Sequence, residues 1–182
     1  MIEREKYLLD LFGQTPPRTV PAKIAKAAIS PLANFFILMG ILMLILSIIA
    51  IYPMLMRGKI SFFSWIEPGG LMLSATIMVL IGVVRHRNTK EILSNGIVVK
   101  GLVRVVSHLP AHINGRTFCT VKVEVPHPGG ATVIAKDTVD NFTFDYFLDA
   151  QDHQTEIDVL YYPKFPHRVL LLKKIELTRR FD

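Results

Sequence analysis

Asp145, Asp149, Asp152 and His153 lie close together, interleaved with Phe142, Phe144, Tyr146 and Phe147. A carboxylate pair beside a histidine can pass a proton or hold a cation. The spacing fits no calcium loop, because no glycine supplies the turn such a loop needs. The ordinary role of this composition is a solvated acidic loop. As a recognition surface it nominates Phe142, Phe144, Asp145, Tyr146, Phe147 and Asp149, since loops set on a rigid scaffold tend to carry contacts.

His108 and His112 are four apart, a spacing that suits a metal only on a helix. Pro110 lies between them, the surroundings read as strand and loop, and no third ligand is near in sequence. Neither a metal nor another cofactor is expected. The chain has no glycine-rich phosphate loop, no GxSxG elbow, no HExxH and no CxxC. Cys119 is the single cysteine and alternates with valines, which suggests a buried strand position rather than a reactive thiol. These patterns point to no catalytic site.

The elements that must position these residues have a period of two. From about Glu91 onward, Ile97, Val99, Val103 and Val105 face one way, while Lys100 and Arg104 face the other. Asn114–Gly115 is a hairpin turn signal, because both residues accept positive φ. Cys119, Val121, Val123 and Val125 then alternate with Thr120, Lys122 and Glu124. Pro126–Gly130 is a second turn, and Ala131–Lys136 a third strand. Residues 137–152 read either as one or two helical turns or as an aromatic loop. Ile157, Val159 and Tyr161 mark a fourth strand and Arg168–Leu172 a fifth, with 173–182 a tail that prolongs it. Five short strands predict a small barrel of the OB or SH3-like kind, whose closure protects strand edges.

The barrel follows a different kind of sequence. Phe35–Met56 carries no charge and is long enough to cross a bilayer. Twelve Leu, Ile or Phe residues between Phe35 and Ile51 favour insertion by about 4–7 kcal/mol. A second span covers 66–84, with Leu71–Val84 as its clean apolar run. Tyr52 and the Phe62, Phe63, Trp65 group suit the membrane interface. Neither span has an ionisable residue in its core, which argues against transport by this chain alone. Gly70, Ser74, Met78 and Gly82 recur on one face of the second span. Gly40 and Ser47 supply small residues on the first, and small side chains let helices approach in lipid. The simplest use is packing within the hairpin, and the sharper one is self-association or packing against another membrane subunit.

Ahead of the spans, Leu8, Leu11 and Phe12 predict a short amphipathic helix. It packs on its own domain, on the membrane surface or on a partner. Thr15–Pro31 is a proline-broken basic linker in which Lys23–Ile29 is placed along the lipid headgroups. The run begins too far from Met1 for a signal peptide. The expected divisions are therefore 1–31, 32–87 and 91–178.

The net charge of +6 is unevenly placed. Residues 1–91 hold ten Lys or Arg and five Asp or Glu, whereas 92–182 hold eleven and ten. Arg18, Lys23 and Lys26 before the first span, and Arg85, Arg87 and Lys90 after the second, outnumber Arg57 and Lys59 between them. That bias places both termini in the cytoplasm. The nearly neutral distal half argues against nucleic-acid binding.

Two spans, a strand pair around Asn114–Gly115 and the closing stretch Ile157–Pro166 (IDVLYYPKFP) resemble an uncharacterised bacterial family of two-span membrane proteins with a small β domain. Lys164–Phe165 departs from the Asp-Pro or Asn-Pro ending expected there. More distantly the layout is similar to NfeD-like proteins, whose OB domain follows membrane helices and which act beside stomatin-type scaffolds. The resemblance implies a bacterial inner-membrane location and carries no activity. The fold expected is membrane α plus all-β. A two-helix transmembrane hairpin would anchor a five-stranded OB/SH3-like small barrel. The function expected is a non-enzymatic accessory or assembly subunit whose barrel contacts other proteins. The alternative is a membrane-anchored enzyme or ligand sensor using the Phe142–His153 segment.

Overall fold

The computed structural model describes residues 2–29, 31–57, 66–113 and 116–177. The Asn114–Gly115 turn, Lys59 and the Phe62, Phe63, Trp65 group lie outside them. The chain forms two compact units, Ile29–Arg87 and a second built from Met1–Ala28 together with Asn88–Asp182.

The first unit contains two long helices, α3 (Pro31–Arg57) and the greater part of α4 (Ile66–Asn95). Both contain stretches long and apolar enough to cross a membrane. Only 11% and 17% of those stretches is buried, unlike the core helix of a water-soluble protein. Large side chains point outward along both, with Leu38 67% and Leu73 64% exposed.

The seam between the two helices runs along small residues. A Cβ on Gly40 would lie 2.8 Å from the Ala75 carbonyl oxygen, and one on Gly82 would lie 2.9 Å from that of Ala33. Backbone at that distance cannot move aside, so glycine is required at both positions. Ser47 is fully buried and donates its hydroxyl to the Met43 carbonyl at 2.8 Å. Gly70 and Ser74 depart from the expected stripe. Nothing lies within 4 Å of a Cβ placed on Gly70, and Ser74 is exposed. Ala75, buried on the neighbouring face, takes their place in the seam. A four-residue spacing drifts round a helix, whereas Ala75 and Gly82 are seven apart, which keeps two helices in register along their length.

The second unit is a five-stranded antiparallel, nearly closed, barrel-like sheet. Its strands are β1 (Ile97–Ile113), β2 (Arg116–Pro126), β3 (Thr132–Asp140), β4 (Glu156–Tyr161) and β5 (Val169–Leu171), in the order β3-β2-β1-β4-β5. The two ends meet through a parallel bridge between Lys136 and Arg168, where the Lys136 N–H donates to the His167 carbonyl at 3.1 Å. The barrel core holds Val121, Val123, Val125, Val159, Tyr161 and Leu171. The predicted alternation on β2 is therefore observed, with Cys119 fully buried in the same core.

A second apolar cluster covers the outside of the sheet. Leu160 of β4 and Leu170 of β5 point away from the barrel interior and pack with Leu8, Phe12, Ile24 and Ile175. The end of β4, Val159–Tyr161, and all of β5 are thus buried on both faces, and there the sequence is continuously apolar. The covering helices are α1 (Ile2–Phe12), α2 (Ala22–Ala28) and α6 (Leu172–Leu177).

This cladding corrects several expectations. Residues 1–28 share a core with 88–182, so the N-terminal helix packs on its own domain, one of the three placements expected for it. Ile24, Ala27 and Ala28 bury α2 against protein, so the lipid headgroups do not take its apolar side. Residues 172–177 are helical and do not extend β5. The helix expected to end near Glu91 continues to Asn95 and inserts Ile92 and Leu93 into the outer cluster.

Arg18, counted among the positive residues ahead of the first span, is buried. Its guanidinium donates to the Phe12 and Gly96 carbonyls and lies 5.4 Å from the centre of the Phe12 ring. Its backbone N–H reaches the Ser94 carbonyl at 3.1 Å. Burial lowers its pKa from the ordinary arginine value.

Candidate functional site

The ambiguous stretch after β3 resolves into a turn and the helix α5 (Phe144–Asp152). Phe147 and Ala150 fall three apart and anchor α5 in the barrel core. Gln151 accepts the Val106 N–H at 2.8 Å, beyond the point where β4 stops pairing with β1. The helix therefore covers an otherwise open strand edge.

That role divides the six nominated residues. Phe147 is core. Phe144 packs against the core and stacks on His108 at 4.4 Å. Phe142, Asp145 and Asp149 are exposed, and Asp149 lies 3.2 Å from His153. Tyr146 is 39% exposed and faces a cleft that the other five do not line.

Of the two spaced histidines, His108 alone has a described side chain. His108 Nδ1 lies 3.3 Å from Cys119 Sγ, and the His112 side chain falls outside the described residues. Burial, and then the charge of Asp140, push the Cys119 thiol above its ordinary pKa. Among the described residues, no three His, Cys, Asp or Glu side chains gather closely enough to hold a metal ion.

The cleft beside Tyr146 has a volume of about 200 Å³. Glu5, Leu8 and Leu9 of α1 form one wall. Lys173 and Glu176 of α6 form another, and Lys100 of β1 with Glu156 and Asp158 of β4 form the third. Strand register places Lys100 opposite Asp158, and their side chains meet at 2.8 Å. That hydrogen bond raises the Lys100 pKa. On α6, Lys173 Nζ lies 2.7 Å from Glu176 Oε2, 3.9 Å from Glu5 Oε2 and 5.5 Å from the centre of the Tyr146 ring. Burial works against the Lys173 ammonium, but the hydrogen bond to Glu176 and the nearby carboxylates outweigh it and raise its pKa. Burial also raises the Tyr146 phenol pKa, against the pull of Lys173.

Glu176 is the unusual member. Its side chain is 2% exposed, and Oε1 is buried with no hydrogen-bond partner. Buried carboxylate oxygens are normally satisfied, because the desolvation cost of leaving one unmet is high.

The short helix carrying these groups is held from its other side. Lys174 Nζ meets the Asp137 carboxylate of β3 at 3.0 and 3.1 Å, and Asp137 also accepts the Leu171 N–H at 3.3 Å. One carboxylate thus ties β3, β5 and α6 together.

Sequence reasoning missed this cleft apart from Tyr146. The available signal was the LKKIEL pattern at Leu172–Leu177, where Leu172 and Ile175 share a helical face. Comparison of the chain with protein-family models, curated proteins and solved structures returns no match.

Proposed function

We propose that this chain is a membrane-anchored adaptor. Its two apolar helices form a transmembrane hairpin, and its barrel unit contacts other proteins as an accessory or assembly subunit of a membrane complex. It performs no catalysis of its own. The carrying observation is the pairing of outward-facing apolar helices with a water-folding unit built from both ends of the chain. Residues 1–28 and 88–182 share one core, so they lie on the same side of any membrane. An even number of crossings meets that condition, and two helices of sufficient length separate the segments. Lys23, Lys26, Arg87 and Lys90 flank the hairpin on that side and favour the cytoplasm.

The barrel is read as OB-type rather than SH3-like. The supporting features are the parallel β3–β5 bridge, the pairing of β4 with β1, and a helix between β3 and β4. This agrees with the layout implied by the NfeD-like resemblance, and the bacterial inner-membrane location is proposed on that resemblance alone.

In-cell crosslinking followed by purification in mild detergent tests the role. The adaptor reading expects reproducible partners crosslinked through the barrel unit. A monodisperse, solitary monomer at native expression refutes it. The alternative, an enzyme or sensor built on Phe142–His153, is weakened by the commitment of Phe144 and Phe147 to barrel packing.

A further inference from the structure

We propose that the cleft between α1, α6 and β4 binds an organic cation, a guanidinium or primary ammonium group of the kind a basic side chain presents. This rests on the adaptor reading and names the chemistry of one partner contact.

Glu176 carries the inference. Its carboxylate is buried in the cleft wall, Oε2 is taken by Lys173 at 2.7 Å, and Oε1 has no partner among the described residues. An oxygen in that state calls for a donor, and a charged donor is the strongest one available. Charge balance points the same way. Among the described residues that line the cleft, Glu5, Glu156, Asp158 and Glu176 face Lys100 and Lys173, an excess of two negative charges. Lys100 is engaged by Asp158, and Lys173 by Glu176.

The shape selects an organic group over a bare ion. The carboxylates do not converge at metal-binding distance among the described residues. They are spread around apolar side chains, Leu8, Leu9 and Leu172, and beside the Tyr146 ring. Such a wall suits a cation carried on a hydrocarbon stem, with the aromatic ring adding cation–π attraction. A volume of about 200 Å³ admits a side chain but not a folded segment.

The test is titration calorimetry on the full chain in lipid nanodiscs. The probes are N-acetyl-argininamide, its neutral citrulline counterpart and the free diamine putrescine. The arginine probe binds and the citrulline probe does not. Glu176→Gln weakens the arginine probe by about tenfold or more, and Glu156→Gln by about twofold, as expected for a buried and a rim carboxylate. Should Glu176→Gln fail to fold, Leu9→Arg supplies a competing guanidinium at the cleft mouth and abolishes probe binding.

Putrescine tighter than the arginine probe assigns the site to a free amine, and the reverse order assigns it to a partner's side chain. Either order supports the cation site. Two results overturn it: equal binding of the citrulline probe, or wild-type affinity in a folded Glu176→Gln chain. Loss of the cleft with partners still co-purifying leaves the adaptor reading standing. A solitary monomer that binds arginine does the opposite.

Discussion

Replacing Asp137 with Asn should open the barrel seam. The carboxylate takes two contacts from Lys174 Nζ at 3.0 and 3.1 Å, the Leu171 N–H at 3.3 Å and the Thr138 N–H at 2.7 Å. The two side chains are only 7% and 10% exposed, so solvent screens the pair weakly. Removing one partner of a buried pair costs about 3–5 kcal/mol, because the remaining charge stays desolvated. Asn keeps one acceptor in place, which puts the expected loss near the lower end, about 3 kcal/mol. For a chain of this size that lowers Tm by roughly 6–12 °C. Thermal unfolding by circular dichroism in detergent measures the shift, and hydrogen exchange locates it. Protection should fall first at Lys136–Asp140 and Val169–Leu177. The paired change Asp137→Leu with Lys174→Met should recover most of the stability, since apolar side chains carry no desolvation debt. A Tm loss below about 2 °C for Asp137→Asn, or protection lost evenly over all strands, would refute the view that this carboxylate closes the barrel. Because Lys174 and Glu176 sit on the same short helix, Asp137→Asn should also weaken the arginine probe.

Gly40→Leu and Gly82→Leu should each cost about 1–3 kcal/mol of hairpin packing, read as loss of a cysteine crosslink across the seam, whereas Gly70→Leu should be neutral. Arg18→Met should cost about 3 kcal/mol through two lost charged hydrogen bonds. Limited proteolysis should then cut between α1 and α2, and Arg18→Lys should not rescue it, since an ammonium cannot reach two divergent carbonyls. Stability should fall as pH rises above about 9. Burial and Asp140 hold the Cys119 thiol above its ordinary 9.0, burial holds the Tyr161 phenol above 10.0, and the hydrogen bond to Asp158 raises Lys100 above 10.5. All three favour the protonated form in the fold, so their contribution is whole below the ordinary values and is lost on passing them. A chemical-denaturation series from pH 6 to 11 that showed no alkaline decline would contradict this. Cysteines placed at Lys23 and Lys173 should label from the same face of sealed vesicles, and labelling from opposite faces would exclude the hairpin.

The two long helices and the five strands were legible because their periods are unmistakable. Apolar runs without charge and the Cys119–Val125 alternation each admit one reading. The cladding was not legible, because its partners are far apart in sequence. Nothing local to Leu8 or Ile24 announces Leu160 and Leu170. The one trace was Leu160 itself, which interrupts the alternation of β4 and marks a strand buried on both sides. Arg18 misled for a related reason. A positive residue ahead of an apolar span reads as a topology-setting charge, and only the folded chain brings the Phe12 and Gly96 carbonyls to it. The cleft went unseen because Glu5, Lys100, Tyr146 and Glu176 come from four separate elements.

The discontinuous make-up of the barrel unit also sets a schedule for biosynthesis. The first 28 residues leave the ribosome early, yet the surface they cover, Leu160, Leu170 and Ile175, is translated last. Under the proposed hairpin topology, a pair of apolar segments is delivered to the insertion machinery between the two events. Throughout that interval Leu8, Phe12 and Ile24 have no native mate, so the newborn N-terminus is a natural client for a chaperone. Docking of that segment can only follow synthesis of Leu160, Leu170 and Ile175, which makes it a late step in folding.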